Sequence, residues 1–267
     1  MALEMVGLGA IAAYLGKDGL EKLLGPTADY LGGELKDFAQ KRIENVGKIF
    51  ANASEKVPPE KQDIGAVPPK VLRSVMNEGS YSSDTIDIEY FGGVLASSKS
   101  EVNRDDRGAR LAQKISTLSS YQLRAHYILY SSLITSFKNT EVTLNYERHK
   151  LMMFISMQSF INLMEFTEYE NNQIDSIFSH TFSGLWQEGL IAKEFAFGGD
   201  GFAKNELPNV KGGGIVFEPT AAGAELLLWA FGVGNKGHNF IFDDGFSSNI
   251  EGIDINKLEC KPVADFR

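Results

Sequence analysis

The chain has 267 residues, 43% hydrophobic and 23% charged, a composition typical of a soluble globular protein with one large or two smaller domains. Its 35 acidic and 26 basic residues give a net charge of −9, which disfavours indiscriminate binding to nucleic acid, because such binding needs positive charge against phosphates. The single cysteine, Cys260, excludes an internal disulfide framework and fits a reducing cytosol.

The first 25 residues are rich in small side chains. The apolar run at residues 5–15 is shorter than the ~20 residues that a membrane-spanning helix needs, and Glu4 precedes it without any Lys or Arg. We therefore expect no secretory signal and a cytoplasmic protein that is at most peripheral at the inner membrane. Small residues permit close helix packing, so the candidate membrane or oligomer contacts are Gly7, Gly9, Ala12, Ala13 and Gly16.

The chain up to residue 137 is predicted to be a series of helices. One begins at Pro26 and runs to about residue 53, a proline-rich linker follows, and a second helix covers residues 69–78. Three more helices lie between residues 86 and 137, each with an apolar stripe at helical spacing. The residues that cap these three helices are predicted to be Asp84, then Asp105 or Asp106, then Ser119 or Ser120.

Four segments of this region carry a resemblance to a known family. They are residues 22–50, the proline-led segment 67–72, YFGGVLASS at residues 90–98, and ISTLSSYQ at residues 115–122. The chain resembles the abortive-infection alpha (Abi-alpha) family over most of its length, from about residue 22 to residue 232. The resemblance implies a bacterial protein of phage defence. Its motifs are hydrophobic and structural, and the family has no agreed catalytic residues.

Beyond residue 137 the pattern changes to mixed helix and strand. The apolar segment 151–166 fits either a strand followed by a helix or one continuous helix. A helix capped by Asn171 or Asn172 comes next, then strands at 192–197 and 215–218 around a glycine-rich tip, and a helix capped by Thr220. This order is typical of a winged-helix-like module with a small β-hairpin. The tail adds strand candidates at 239–242 and 253–255.

The net negative charge of this module argues against sequence-specific DNA binding. Residues 171–232 hold three lysines and seven acidic residues. The helix that would enter the major groove has no Arg or Lys for phosphates or guanine and offers only Gln173, Ser176, Ser179, His180 and Ser183. Sequence-specific DNA binding is therefore disfavoured, and we interpret the module as a protein-contact or packing unit.

The segment 99–138 departs most from the acidic bulk of the chain. It holds seven Lys and Arg residues and three acidic residues, a net charge of +4. Arginine suits carboxylates and phosphates, so we predict a docking face for an acidic protein, an anionic lipid or a nucleic-acid backbone. The alternative is a solvated face whose cations pair with the chain's own acidic residues. The candidate docking residues are Arg104, Arg107, Arg110, Lys114 and Arg124.

Two patterns imitate sites of chemistry. Asp244, Glu259 and Lys261 form a loose D…ExK pattern like that of magnesium-dependent nucleases, but only six residues follow Lys261, too few for the helix that usually covers such a core. Gly7-x-Gly9-x-x-Ala12 imitates a dinucleotide fingerprint without the preceding strand that the fingerprint needs. We therefore predict no catalytic residue, no metal site and no cofactor.

The sequence thus predicts a mostly helical α+β protein, with a helical N-terminal region followed by a winged-helix-like C-terminal module. The predicted parts are a helical segment 1–56, a linker 57–68, a central helical core 69–166, the winged-helix-like module 167–232 and a tail 233–267. The predicted function is a cytoplasmic, non-enzymatic component of bacterial anti-phage defence that binds a phage component or a partner defence protein, with homo-oligomerisation as a further option. The alternatives are a membrane-acting effector that uses the Gly/Ala-rich N-terminus and, with weaker support, a metal-dependent nuclease that uses the D…ExK pattern.

Overall fold

The structure, a computed structural model, describes residues 33–57, 65–102, 104–199 and 213–266, with side chains from residue 40 onward. The chain divides into two compact units. The first comprises Met1–Thr117 and Trp229–Asn235, and the second comprises Leu118–Leu228 and Lys236–Arg267. Each unit is therefore assembled from two separate stretches of sequence. The boundaries of the five predicted parts stay a prediction.

The described part of the first unit is built from helices. They are α1 (Gly33–Lys56), α2 (Pro69–Gly79), α3 (Thr85–Ser97) and α4 (Arg107–Thr117). The predicted cap of α3 is confirmed, because the Asp84 side chain accepts the Ile86 N–H at 3.0 Å while Asp87 accepts the Asp84 N–H at 3.2 Å. This capping box satisfies two N–H groups that have no partner inside the helix. Pro26, the predicted start of the first helix, lies outside the described residues.

Helix α3 carries the YFGGVLASS motif, and residues 90–96 of this motif are all buried. A methyl group added to Gly93 would lie 1.7 Å from the Ala230 carbonyl oxygen, so only glycine allows the two backbones to come this close. Ser97 donates a hydrogen bond to the Trp229 carbonyl at 3.0 Å and accepts one from the Gly234 N–H at 3.1 Å. The motif therefore joins α3 to the stretch Trp229–Asn235 within the first unit.

The described part of the second unit combines helices with strands. Its regular elements are α5 (Ser120–Phe137), β1 (Met153–Ser156), α6 (Met157–Met164), α7 (Glu168–Asn171), α8 (Ile174–Gln187), β2 (Ile191–Gly198), β3 (Gly214–Pro219), α9 (Ala221–Ala230, which ends in the first unit) and β4 (Cys260–Pro262). The predicted Ser119 cap of α5 is confirmed, because Ser119 and Gln122 form a reciprocal capping box. The predicted cap Thr220 is confirmed as well, because its hydroxyl accepts the Gly223 N–H at 3.0 Å.

Among the described residues, four strands form one antiparallel sheet in the order β2-β3-β1-β4. The predicted strands at 192–197 and 215–218 are confirmed as β2 and β3, and the segment 151–166 is a strand followed by a helix. The fold class, mostly helical α+β, is confirmed. The elements α8, β2, β3 and α9 follow one another in the predicted order, while the winged-helix assignment stays a prediction.

An aromatic cluster packs helices against the sheet of the second unit. The rings of Phe160, Phe178 and Phe182 have centroids 5.6–5.8 Å apart. On β2, Phe197 lies 5.1 Å from the Phe182 ring and 5.7 Å from the Phe178 ring. Aromatic pairs at these distances add to the stability that burial provides. The cluster fixes α8 on the strand that follows it.

Three local predictions are wrong. Residues 239–242 belong to a 3₁₀-helix, His238–Phe242, and not to a strand. The strand candidate at 253–255 runs instead into a 3₁₀-helix, Ile255–Lys257, and the edge strand of the tail is β4. Neither Asn171 nor Asn172 caps α8, because Thr167 and Glu170 form a capping box that begins α7, and α8 starts after Gln173. The bond from the Asn139 N–H to the Phe242 carbonyl, the local bond from the Lys257 N–H to the Asp254 carbonyl, and the capping box of α7 account for the three differences in turn.

His126, on α5, makes stability sensitive to pH. Its ring is fully buried, its Nε2 lies 3.0 Å from the Gly223 carbonyl oxygen, and burial lowers its pKa from 6.5 to about 3. Below about pH 6.5 the unfolded chain takes up a proton at His126, whereas the folded chain does not. The contribution of the neutral His126 to the free energy of unfolding is therefore full above pH 6.5 and is lost progressively between pH 6.5 and pH 3. We expect a loss of about 2 kcal/mol between pH 7 and pH 5.

Chemical denaturation at the two pH values measures this loss. In His126→Gln the amide can still donate to the Gly223 carbonyl but does not titrate, so its loss of stability over the same interval is expected to be smaller by about 2 kcal/mol. An identical pH dependence in both proteins would show that His126 does not govern it.

Candidate anion-docking surface

Helix α4 carries three of the five predicted basic residues, Arg107, Arg110 and Lys114, and Arg104 lies just before its first residue. One side of α4 is buried through Ala109, Leu111, Ala112 and Ile115. Gly108 allows this packing, because an added methyl would lie 2.1 Å from the Ser98 hydroxyl oxygen and 3.1 Å from both the Trp229 ring and the Val71 side chain. The buried face thereby fixes which side chains of α4 point to solvent.

Arg107 is held in place at the first turn of α4. Its Nε and Nη2 donate to the two carboxylate oxygens of Asp105 at 2.7 and 2.9 Å, and its guanidinium lies 5.4 Å from the Trp229 ring. The hydrogen bonds from Arg107 lower the pKa of the Asp105 carboxyl. Planar bidentate pairing and ring contact both limit the motion of an arginine, so Arg107 is a fixed part of the surface.

Helix α2 adds two cations to this surface that the sequence pattern does not indicate. Lys70, in the first turn of α2, pairs with Asp106 at 2.8 Å and so brings the N-terminal ends of α2 and α4 together. Arg73 lies three residues further along α2 and is exposed. The sequence shows both residues but not the packing of α2 on α4, which is a tertiary contact. We define the basic surface as Lys70, Arg73, Arg104, Arg107, Arg110 and Lys114.

Arg104 and Arg110 are the most available members of the basic surface. Both are exposed, and neither forms an ion pair or hydrogen bond with any residue that the structure describes. Lys114, on the last turn of α4, is half-buried. The two arginines therefore leave their planar donor groups to solvent, as a site for carboxylates or phosphates requires.

The position of these cations opposes the usual placement of charge in helices. Neither α2 nor α4 has an acidic residue in its first turn, whereas Lys70, Arg107 and Arg110 lie within the first four residues of their helices. A helix N-terminus is already positive, so cations there cost about 0.3–1 kcal/mol each instead of stabilising it. Such local conflicts are expected at functional positions. The two helix ends and these side chains give the surface a local positive potential, which Asp105 and Asp106 reduce in part through their ion pairs with Arg107 and Lys70.

Arg124, the fifth predicted docking residue, lies in the second unit and has a structural contact. Its Nε donates to the Leu163 carbonyl at 2.7 Å, and its guanidinium pairs with Glu165. Glu165 follows α6 in the left-handed conformation, with φ of +53°, so Arg124 anchors the end of α6. The structure therefore gives Arg124 a packing role within the second unit.

The other candidates fall into two groups. Gly7, Gly9, Ala12, Ala13 and Gly16 lie outside the described residues, and within the residues that are described no helix is long and apolar enough to cross a membrane.

Across the same residues, no group of three or more His, Cys, Asp and Glu side chains could hold a metal ion. The pattern of Asp244, Glu259 and Lys261 therefore rests on the sequence alone.

Taken together, these features define an exposed cationic surface at the ends of two packed helices. No model of a protein family matches the chain, and neither a curated protein nor a solved structure matches it. The resemblance to the Abi-alpha family thus stays a prediction from the sequence.

Proposed function

We propose that this protein is a non-enzymatic recognition component of bacterial anti-phage defence of the abortive-infection type, and that its basic surface binds an acidic partner protein. The observation that carries the proposal is the cluster of cations at the N-terminal ends of α2 and α4, in a chain whose net charge is −9. The resemblance of the sequence to the Abi-alpha family supports the defence context. Cytoplasmic residence is part of the same proposal.

Electrostatics favour a protein partner over nucleic acid. A long polyanion would meet the acidic remainder of the chain as well as the basic surface, and the repulsion would offset the attraction. A folded partner with a local acidic patch contacts the basic surface alone. Arg104 and Arg110 can each hold a carboxylate through two parallel hydrogen bonds, and the positive potential raises the rate of encounter.

A phage-infection assay in bacteria tests the proposal. The double variant Arg104→Glu/Arg110→Glu reverses the two exposed arginines, and we expect it to abolish the protection that the wild-type chain gives. The matched control is Lys193→Glu/Lys261→Glu, which makes the same change in net charge at exposed lysines of β2 and β4. The control is expected to protect like the wild type.

Two outcomes would contradict the proposal. Full protection by the Arg104→Glu/Arg110→Glu variant would exclude the basic surface as the recognition site. A wild-type chain that protects against no phage of a broad panel would exclude the defence role itself. Soluble expression and circular dichroism of each variant establish that the folded protein is being compared.

A further inference from the structure

The second unit contains an open cavity of about 660 Å³. It lies between the connection that follows α5, residues 139–145, and the 3₁₀-helix His238–Phe242 with the residues on either side of it. Its volume lies within the range of ~300–1,000 Å³ that is usual for small-molecule sites. Nothing in the proposed function uses this cavity.

Hydrogen bonds between the two walls hold the cavity in shape. The Asn139 N–H donates to the Phe242 carbonyl at 2.8 Å, and Asn139 adopts the left-handed conformation with φ of +61°. The side-chain oxygen of Asn239 accepts the Leu144 N–H at 3.0 Å. These bonds join segments about 100 residues apart in sequence, so the cavity is formed before any ligand binds.

The cavity keeps charges of opposite sign apart. Lys236, Asp243 and Asp244 all line it, yet among the described residues Lys236 forms no ion pair with either carboxylate. The ammonium of Lys236 lies 5.0 Å from the Phe240 ring, a contact that favours its placement at the cavity. Asp243 accepts the Gly245 N–H at 2.8 Å, whereas the Asp244 carboxylate has no hydrogen bond from a described residue. One cation and one carboxylate are therefore ready for a ligand.

Amide side chains and aromatic rings also line the cavity. The side chains of Asn139 and Asn145 form no hydrogen bond with the rest of the described chain, and an amide can both donate and accept. Phe240 and Phe242 supply apolar surface beside these groups. A purely anionic ligand would meet the carboxylates and a purely cationic ligand would meet Lys236, whereas a ligand with both charges can pair with Lys236 and with Asp244.

We propose that this cavity binds a small zwitterion of the α-amino-acid type. The Lys236 ammonium pairs with the ligand's carboxylate, and the Asp244 carboxylate pairs with the ligand's ammonium. The asparagine amides bond the remaining polar atoms, and the phenylalanine rings contact the ligand side chain. Charge-assisted hydrogen bonds of this kind are about twice as strong as neutral ones, so both ends of the ligand contribute to selection.

Isothermal titration calorimetry of the full chain with the free L-amino acids tests this proposal. At least one free amino acid is expected to bind, and its N-acetylated and its C-amidated forms are expected to bind at least ~10-fold more weakly, because each blocks one charge. Lys236→Met and Asp244→Asn are expected to weaken binding to a similar degree. Lys257→Met and Asp254→Asn change an exposed ion pair elsewhere in the tail and are expected to leave binding unchanged.

The proposal fails if no free amino acid binds. It also fails if the blocked forms bind as well as the free one, or if Lys236→Met and Asp244→Asn bind like the wild type. Both side chains are exposed, so the variants are expected to fold, and thermal unfolding of each variant verifies this. None of these outcomes depends on the basic surface, so this test and the infection assay can fail independently.

Discussion

Replacing Gly93 with alanine is expected to destabilise the first unit by about 3 kcal/mol or more. The added methyl would lie 1.7 Å from the Ala230 carbonyl oxygen and 2.6 Å from the Ala230 Cα, far inside van der Waals contact. These are main-chain atoms that no side-chain rotation can move away. The helix α3 must therefore shift, and that shift disrupts the packing of every buried residue of the YFGGVLASS motif.

The two tryptophans allow the loss to be assigned to a unit. Trp229 is buried in the first unit, and Trp186 lies in the second unit. Denaturant unfolding followed by fluorescence in a Trp186→Phe background reports on Trp229 alone. The control is Gly237→Ala, because Gly237 has a φ of −69° and an added methyl would meet no atom within 4 Å. An unfolding midpoint for Gly93→Ala equal to that of the control would contradict the packing role of Gly93.

Tyr130→Phe is expected to destabilise the second unit by about 3 kcal/mol, although it removes a single oxygen atom. The buried hydroxyl of Tyr130 lies 2.6 Å from the Leu190 carbonyl oxygen, to which it donates, and it accepts the Thr220 N–H at 2.9 Å. Burial raises the pKa of Tyr130 to about 12, so the hydroxyl stays a donor at neutral pH. Phenylalanine would leave the Leu190 carbonyl and the Thr220 N–H buried without this partner.

The effect is measured by denaturant unfolding with Trp186 as the probe, in a Trp229→Phe background. Tyr146→Phe is the matched control, because Tyr146 is 87% exposed and its hydroxyl contributes little to stability. The hydroxyl of Tyr130 joins the start of β2 to the cap of α9. A loss no larger than that of Tyr146→Phe would show that this link does not stabilise the unit.

Local signals in the sequence predicted much of the fold. The capping residues Asp84 and Ser119 were predicted from their positions before apolar stripes, and their partners Asp87 and Gln122 are three residues away in sequence. The strands β2 and β3 are marked by apolar residues on either side of a glycine-rich segment. Where the determining contacts lie within a few residues, the pattern alone was sufficient.

Long-range contacts account for what the sequence did not show. Residues 239–242 have the apolar content of a strand, but they form a 3₁₀-helix. The Phe242 carbonyl at its end accepts a hydrogen bond from the Asn139 N–H, which is about 100 residues away in sequence. Likewise, no pattern in the sequence around Lys70 indicates its contact with Asp106, which is 36 residues away. The sequence therefore does not predict that α2 contributes to the basic surface. The charge of Arg124 alone predicts a docking residue, and only the structure shows that its side chain donates to the Leu163 carbonyl.

The residues that carry the family resemblance also have a physical explanation. Gly93 permits close contact with Ala230, Ser97 bonds to Trp229 and Gly234, and Tyr90 is fully buried. All of these contacts concern packing within the first unit. The motif therefore specifies an architecture, and the recognition that we propose resides in the basic surface.

The most direct test of that recognition is binding of a short fluorescent oligoglutamate peptide, which can contact the basic surface without extending over the acidic remainder of the chain, measured by anisotropy at increasing salt concentrations. The proposal predicts that the wild-type chain binds, that its affinity falls as salt rises, and that Arg104→Glu/Arg110→Glu binds at least ~10-fold more weakly. The Lys193→Glu/Lys261→Glu control should bind like the wild type. Equal binding by the wild type and the Arg104→Glu/Arg110→Glu variant, or binding that does not depend on salt, would contradict the basic surface as an acidic-partner site.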